Sequence, residues 1–154
     1  MKNYIFKYWS IFLVGALTAC ATVPMSPSQA ITVPPERIYG IETPTGENVS
    51  KIVIVRDRTV AGGYGAIGYH QIFINGKRVA SLAANEKLEI LVPSGEQVFG
   101  ILPTLSASTS EEFPGGWALL NLDQTLAPKQ TYFYRVLIDA DAKSRIQRYF
   151  PENK

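Results

Sequence analysis

Cysteine and histidine are the residue types whose side chains most often carry chemistry, and the chain holds one of each, Cys20 and His70. A single cysteine excludes a disulfide within the chain. A zinc site needs several nitrogen, sulfur or carboxylate ligands, and one cysteine with one histidine falls short of that set. We therefore expect no metal and no cofactor.

Cys20 ends a segment that is typical of an exported protein. Two lysines precede an apolar run of twelve residues, 8–19, which ends in small side chains. A helix needs about 20 residues to cross the hydrocarbon core of a membrane, so this run is too short to span it. The pattern predicts a cleaved secretory signal at residues 1–19.

The four residues 17–20, Leu-Thr-Ala-Cys, resemble the lipobox of bacterial lipoproteins. The resemblance implies that the Cys20 thiol, a nucleophilic sulfur, receives a diacylglyceryl group and that cleavage leaves Cys20 as the acylated amino terminus. Two or more acyl chains make membrane attachment stable. Because Ala21 and not aspartate follows, the resemblance to Gram-negative sorting rules favours the periplasmic face of the outer membrane over the inner membrane. The alternative is an ordinary secretory signal beside a bystander cysteine.

Other patterns point away from catalysis. Residues 63–68 match G-x-G-x-x-G, but a strand-like segment follows them, where a dinucleotide site requires a helix. A serine nucleophile would need His70 as its base and an acid to orient it, and the serines of the loop at 106–110 lack the sequence of a nucleophile elbow. We expect His70 to be an exposed or hydrogen-bonded structural residue.

Composition separates residues 20–36 from the rest. Four prolines fall within 21–35, which excludes a regular helix or a central strand. We expect an extended tether, which at about 3.1 Å per residue would reach roughly 45 Å.

The charges of the mature chain are balanced, because removal of residues 1–19 leaves thirteen basic and thirteen acidic residues. The positive charges are scattered, which argues against nucleic acid as a partner.

Residues 37–150 alternate between short apolar segments and turns. Asn75-Gly76 predicts a type I′ hairpin, because both positions of that turn need positive φ. The expected strands are 51–56, 69–74, 77–82, 87–92, 97–102, 117–122, 131–138 and 144–150. Seven or eight short strands predict an all-β domain, a single antiparallel β-sandwich of immunoglobulin-like or prealbumin-like type.

Several of these segments resemble a known family. They are the strand at 51–56 with small residues at 61–65, the hairpin at 72–82, the turn at 91–96 and the aromatic strand at 130–136. In this order they are similar to the domain-of-unknown-function 2846 family, over about residues 50–138. Ser94 and the long loop at 103–116 depart from the family pattern. The resemblance implies a lipoprotein and its architecture, but no reaction.

The loop at 103–116 is the candidate binding surface, since long loops in small domains are often functional. Glu112 and Phe113 lie in it and Trp117 lies at its base. A disordered loop with Trp117 in the core is the alternative.

Aromatic residues also fall on both faces of one strand, with Tyr132 and Tyr134 on one face and Phe133 on the other. We expect core packing to explain at least one set. An exposed pair would mark a partner site.

These features predict a lipid-anchored envelope protein whose β-sandwich is a non-catalytic binding or accessory module. Its partners would be the membrane, through the lipid on Cys20, and an envelope protein. Two alternatives remain open. One is an envelope hydrolase that uses His70 with a carboxylate brought near by folding, and the other is a structural lipoprotein without a dedicated ligand.

Overall fold

A computed structural model describes residues 22–40, 44–59, 68–108, 120–139 and 143–151. Within these ranges the regular structure is β, apart from one 3₁₀ turn at Pro35–Arg37. The strands are β1 (Thr22–Val23), β2 (Ile31–Thr32), β3 (Val49–Arg56), β4 (Arg58–Thr59), β5 (Tyr69–Ile74), β6 (Lys77–Leu82), β7 (Glu86–Pro93), β8 (Gly95–Thr104), β9 (Leu120–Leu126), β10 (Thr131–Ile138) and β11 (Ser144–Tyr149). The expected all-β fold class is confirmed.

Two sheets carry the core. Five strands pair in the order β11-β10-β3-β7-β2 and four in the order β6-β5-β8-β9, while β1 pairs with β4 alone. Leu88, Ile90 and Val92 alternate along β7 and are buried, as their spacing predicts. They share one apolar cluster with Phe99 and Ile101 of the four-stranded sheet. Both sheets therefore contribute one face to the same core.

The pairing is not antiparallel throughout. β3 and β10 run parallel, with Lys51 opposite Thr131, and β2 runs parallel to β7. After β3 the chain forms β5 and β6 in the four-stranded sheet and then returns to pair β7 with one edge of β3. The other edge of β3 gains its neighbour only at β10. The expectation of a purely antiparallel arrangement is therefore wrong at these two pairs.

The hairpin between β5 and β6 follows the sequence prediction. Asn75 and Gly76 have φ angles of 51° and 76°, so both central residues of the turn adopt the left-handed conformation that a type I′ turn requires. A shift of register between Ile72 and Phe73 marks a bulge in this pair of strands. The predicted hairpin is confirmed.

The central strand β3 is buried on both faces. Ile52 and Ile54 belong to the main core. Val53 and Val55 face the other way and form a second cluster, against which Phe133 packs. A strand that is covered on both faces has a continuous run of apolar residues in its sequence. This explains the unbroken run of four β-branched residues at 52–55.

Residues 22–39, named the N-terminal strap here, lie along both sheets. The strap adds β1 beside β4 and β2 beside β7, and Ile38 then bridges to Ala80 at the edge of the other sheet. Val33 of the strap is 2% exposed and belongs to the main core. The expectation of an extended tether at 20–36 is therefore corrected for residues 22–36. Their prolines keep the strands short, but Ala30 and Val33 between them are buried.

Candidate functional site

Polar side chains gather at one end of the two sheets. Strands β5, β7, β9 and β11 begin at this end, and β3, β6, β8 and β10 finish there. Strand β4, which pairs with β1, follows directly on β3. We call this end of the sheets the β1 end. The opposite end, the far end, carries the turns at 75–76, 94 and 127–130.

Arg56 is a buried cation at the β1 end. Its Nη1 donates hydrogen bonds of 2.8 Å to the carbonyl oxygens of Gly68 and Leu82. Burial lowers the pKa of Arg56 to about 10, against the opposing effect of the Glu86 charge. The guanidinium therefore stays charged at neutral pH and connects the approach to β5 with the last residue of β6.

Arg37 and Glu86 connect the strap to β7. The guanidinium meets both carboxylate oxygens, with one Nη1–Oε2 distance of 2.8 Å, and Glu86 also accepts a hydrogen bond from the amide of Ala83. The hydrogen bond from Glu86 raises the pKa of Arg37. Two-point pairing of this kind fixes orientation as well as distance, so it holds the 3₁₀ turn of the strap in place.

His70 pairs with a residue far away in the sequence. Its Nε2 lies 2.7 Å from Oγ of Ser144, and each residue is 1% exposed. Burial lowers the pKa of His70 well below its ordinary value, and the Arg56 charge acts in the same direction. The imidazole is therefore neutral at physiological pH. We expected His70 to be either exposed or hydrogen-bonded, and it is hydrogen-bonded.

A serine hydroxyl on an imidazole nitrogen is part of a hydrolase triad, in which an acid must orient the other nitrogen. Here Nδ1 of His70 has no hydrogen-bond partner among the residues that the structure describes. The neighbouring Arg56 charge opposes protonation of the ring, which a general base must undergo. Sequence reasoning missed Ser144, because no local motif marks a residue whose partner lies 74 positions away.

Asp57 holds the start of the strap. Its Oδ1 accepts a 3.0 Å hydrogen bond from the amide of Met25, and its Oδ2 lies 2.6 Å from Nη2 of Arg135. The side chain is 1% exposed. Burial raises the pKa of Asp57, while the Met25 amide and Arg135 act in the opposite direction. One carboxylate thus connects the strap to β10.

The β1–β4 pair presents exposed side chains at this end. Val23 lies opposite Arg58 in register. Val23 is 47% exposed, although it is apolar, and Arg58 is also exposed. An apolar side chain and a cation therefore lie side by side on the surface.

The candidate loop is only partly described. The carbonyl oxygen of Ala107 accepts hydrogen bonds from the hydroxyls of Tyr39 and Ser81, which places the first part of the loop over the four-stranded sheet. The remaining candidates lie outside the described residues; they are Glu112, Phe113 and Trp117, together with Cys20 and the signal segment 1–19.

The aromatic residues of β10 are packed on both faces. Tyr132 and Tyr134 lie in the main core, and Phe133 packs against the second cluster, to which Ala30 of the strap belongs. Core packing therefore accounts for both sets. This strand does not provide the exposed aromatic pair that would mark a partner site.

Neither a metal cluster nor a membrane-spanning helix is found in the described ranges. No three histidine, cysteine, aspartate or glutamate side chains there lie close enough to hold a metal ion. No helix in the same residues is long and apolar enough to cross a bilayer. No family model matches the chain, and a search of curated proteins found no match.

Proposed function

We propose that the protein is a lipid-anchored envelope lipoprotein whose β domain is a non-catalytic binding or accessory module. The observation that carries the proposal is the Leu-Thr-Ala-Cys sequence at 17–20, directly after an apolar run too short to span a membrane. The acylated Cys20 would hold the domain at the periplasmic face of the outer membrane.

We further propose a β-sandwich of prealbumin-like type for the domain. The shared core between the two sheets supports a sandwich. In the immunoglobulin order, the second and third strands belong to different sheets. Among the longer strands here, the second and third are β5 and β6, which form a hairpin within one sheet. This order favours the prealbumin-like type over the immunoglobulin-like one.

The state of His70 supports the non-catalytic part of the proposal. A hydrolase needs a base that can reach substrate and take up a proton. His70 is closed to solvent and bonded to Ser144, and the Arg56 charge opposes its protonation. These features weigh against the alternative hydrolase. The likeness to the domain-of-unknown-function 2846 family, which rests on the motifs quoted above, agrees with a role without a reaction.

The anchor can be tested by mass spectrometry of the mature amino-terminal peptide, combined with labelling of cells by an alkyne fatty acid. We expect the label on residue 20 of the wild-type protein. In Cys20→Ser the label should disappear, and the protein should either leave the membrane fraction or keep its signal segment. Ala21→Ser, which preserves the cysteine, is the matched control and should be labelled normally. An unmodified thiol in the purified native protein would overturn the anchor.

The binding role is tested separately, by crosslinking intact envelopes before extraction. We expect one defined envelope protein to be crosslinked to the wild-type domain in repeated experiments. Recovery of no partner under several crosslinking conditions would favour the structural lipoprotein instead.

A further inference from the structure

We propose that the β1 end of the domain rests against the surface of the bilayer, with the β1–β4 pair at the level of the lipid headgroups. This inference rests on the proposed function, because it requires the lipid on Cys20. It goes beyond it by stating which surface of the domain meets the membrane.

The position of the anchor follows from chain geometry. Only Ala21 separates Cys20 from Thr22, and Thr22 is paired with Thr59 at the β1 end. Consecutive Cα atoms are about 3.8 Å apart, so the Cα of Cys20 lies within about 8 Å of that of Thr22. The acyl chains therefore begin next to the domain and not at the end of a long tether.

The strap cannot extend without losing specific interactions. Release would expose the core residue Val33. It would also separate Arg37 from Glu86 and take the Met25 amide from the buried carboxylate of Asp57. Loss of Arg37 would take the counter-charge from the buried carboxylate of Glu86. An unpaired buried charge costs several kcal/mol, so the docked strap should prevail.

The exposed side chains of the β1–β4 pair fit a phospholipid surface. Val23 can enter the boundary between headgroups and acyl chains. The guanidinium of its register partner Arg58 suits lipid phosphate. The opposite surface, with the turn at 75–76 and the largely exposed Lys129, would face away from the membrane. The far end is then the part of the domain that a partner outside the membrane reaches first.

Two lysines provide a matched pair of positions for a test. Lys143 lies just before β11 at the β1 end, and Lys129 lies in the far-end turn before β10; both are exposed. The ten-residue strand β8, which runs between the two ends, spans roughly 33 Å at about 3.3 Å per residue. Energy transfer to an acceptor in the lipid headgroups should therefore differ strongly between the two positions.

The experiment uses the processed, lipidated protein in vesicles of phosphatidylethanolamine and phosphatidylglycerol. Lys143→Cys and Lys129→Cys are each labelled with the same fluorophore, which cannot react at Cys20 once its sulfur carries the lipid. We expect several-fold more efficient transfer from position 143. Equal transfer from both positions, in protein that floats with the vesicles, would overturn the orientation and leave the anchor intact. Failure to float would instead overturn the proposed function.

A spacer variant separates docking from orientation. Ten glycine and serine residues inserted between Ala21 and Thr22 lengthen the anchor by roughly 17 Å on average and leave the strap unchanged. The difference in transfer efficiency between the two labelled positions should shrink in this variant.

Arg58→Glu tests the contact with lipid phosphate. It should reduce transfer from position 143 in vesicles that contain phosphatidylglycerol. An unchanged value would overturn the contact between Arg58 and lipid phosphate.

Discussion

Oγ of Ser144 lies 2.7 Å from Nε2 of His70, and the two residues belong to different sheets. Ser144 opens β11 at the edge of the five-stranded sheet, whereas His70 is in β5 of the four-stranded sheet. Because both are buried, this hydrogen bond connects the two sheets at the β1 end without help from solvent.

Ser144→Ala should therefore destabilise the domain. The substitution leaves a buried imidazole nitrogen without a partner, which costs about 1–3 kcal/mol. Urea unfolding followed by circular dichroism measures the change. Ser108→Ala removes the hydroxyl of an exposed serine and should alter the stability by less than about 0.5 kcal/mol. Equal effects of the two substitutions would contradict a structural role for the Ser144 hydroxyl.

Stability should fall as the pH falls below about 6.5. The pKa of His70 in the folded protein lies well below the ordinary value of 6.5, so in this range the unfolded chain binds a proton that the folded one does not. The free energy of unfolding is therefore unaffected by protonation of His70 above pH 6.5. Below that pH it decreases by up to about 1.4 kcal/mol per pH unit. Unfolding of the wild type and of His70→Gln should be compared over this range. Identical pH slopes would contradict the prediction.

Removal of the Asp57 carboxylate should loosen the start of the strap. Asp57→Ala takes the acceptor from the Met25 amide and the counter-charge from Arg135, at a cost of about 3 kcal/mol or more. Hydrogen exchange at the Met25 amide should become faster. Asp57→Asn keeps an acceptor oxygen and should protect this amide better. Asp123→Ala, at an exposed position of β9, is the control, and it should leave that amide unchanged.

The burial of the strap can be tested with two neighbouring apolar residues. Val33 is 2% exposed and Ile31 is 62% exposed. Val33→Ala removes two buried carbon groups and should cost about 1.5–2.5 kcal/mol, including the cavity left behind. Ile31→Ala removes more atoms but from an exposed position, so it should cost less than about 0.5 kcal/mol. A free tether would show the same small effect at both positions in urea unfolding.

The parts of the fold that could be predicted are those set by nearby residues. Asn75-Gly76 specifies its own turn, and the alternation of Leu88, Ile90 and Val92 assigns one face of β7. In contrast, β2 consists of two residues whose partner strand lies more than fifty positions away. A proline-rich segment gives no periodic signal of this docking, so the burial of Val33 could not be predicted.

The candidate site was harder to predict for the same reason. His70 could be singled out because it is the only histidine, but its environment depends on Arg56 and Ser144, which both come from the other sheet. Their approach depends on the packing of one sheet on the other. A single sequence carries no record of such contacts, whereas the lipobox resemblance of residues 17–20 is entirely local.

The parallel pairing of β3 with β10 has a consequence for how the chain folds during synthesis. Lys51 meets Thr131, about 80 residues later in the chain. Contacts of such long sequence separation slow folding, because a large loop must close before they form. One edge of β3 therefore stays unpaired until β10 has been synthesised. A nascent chain that stops before β10 should be a target for proteases and chaperones.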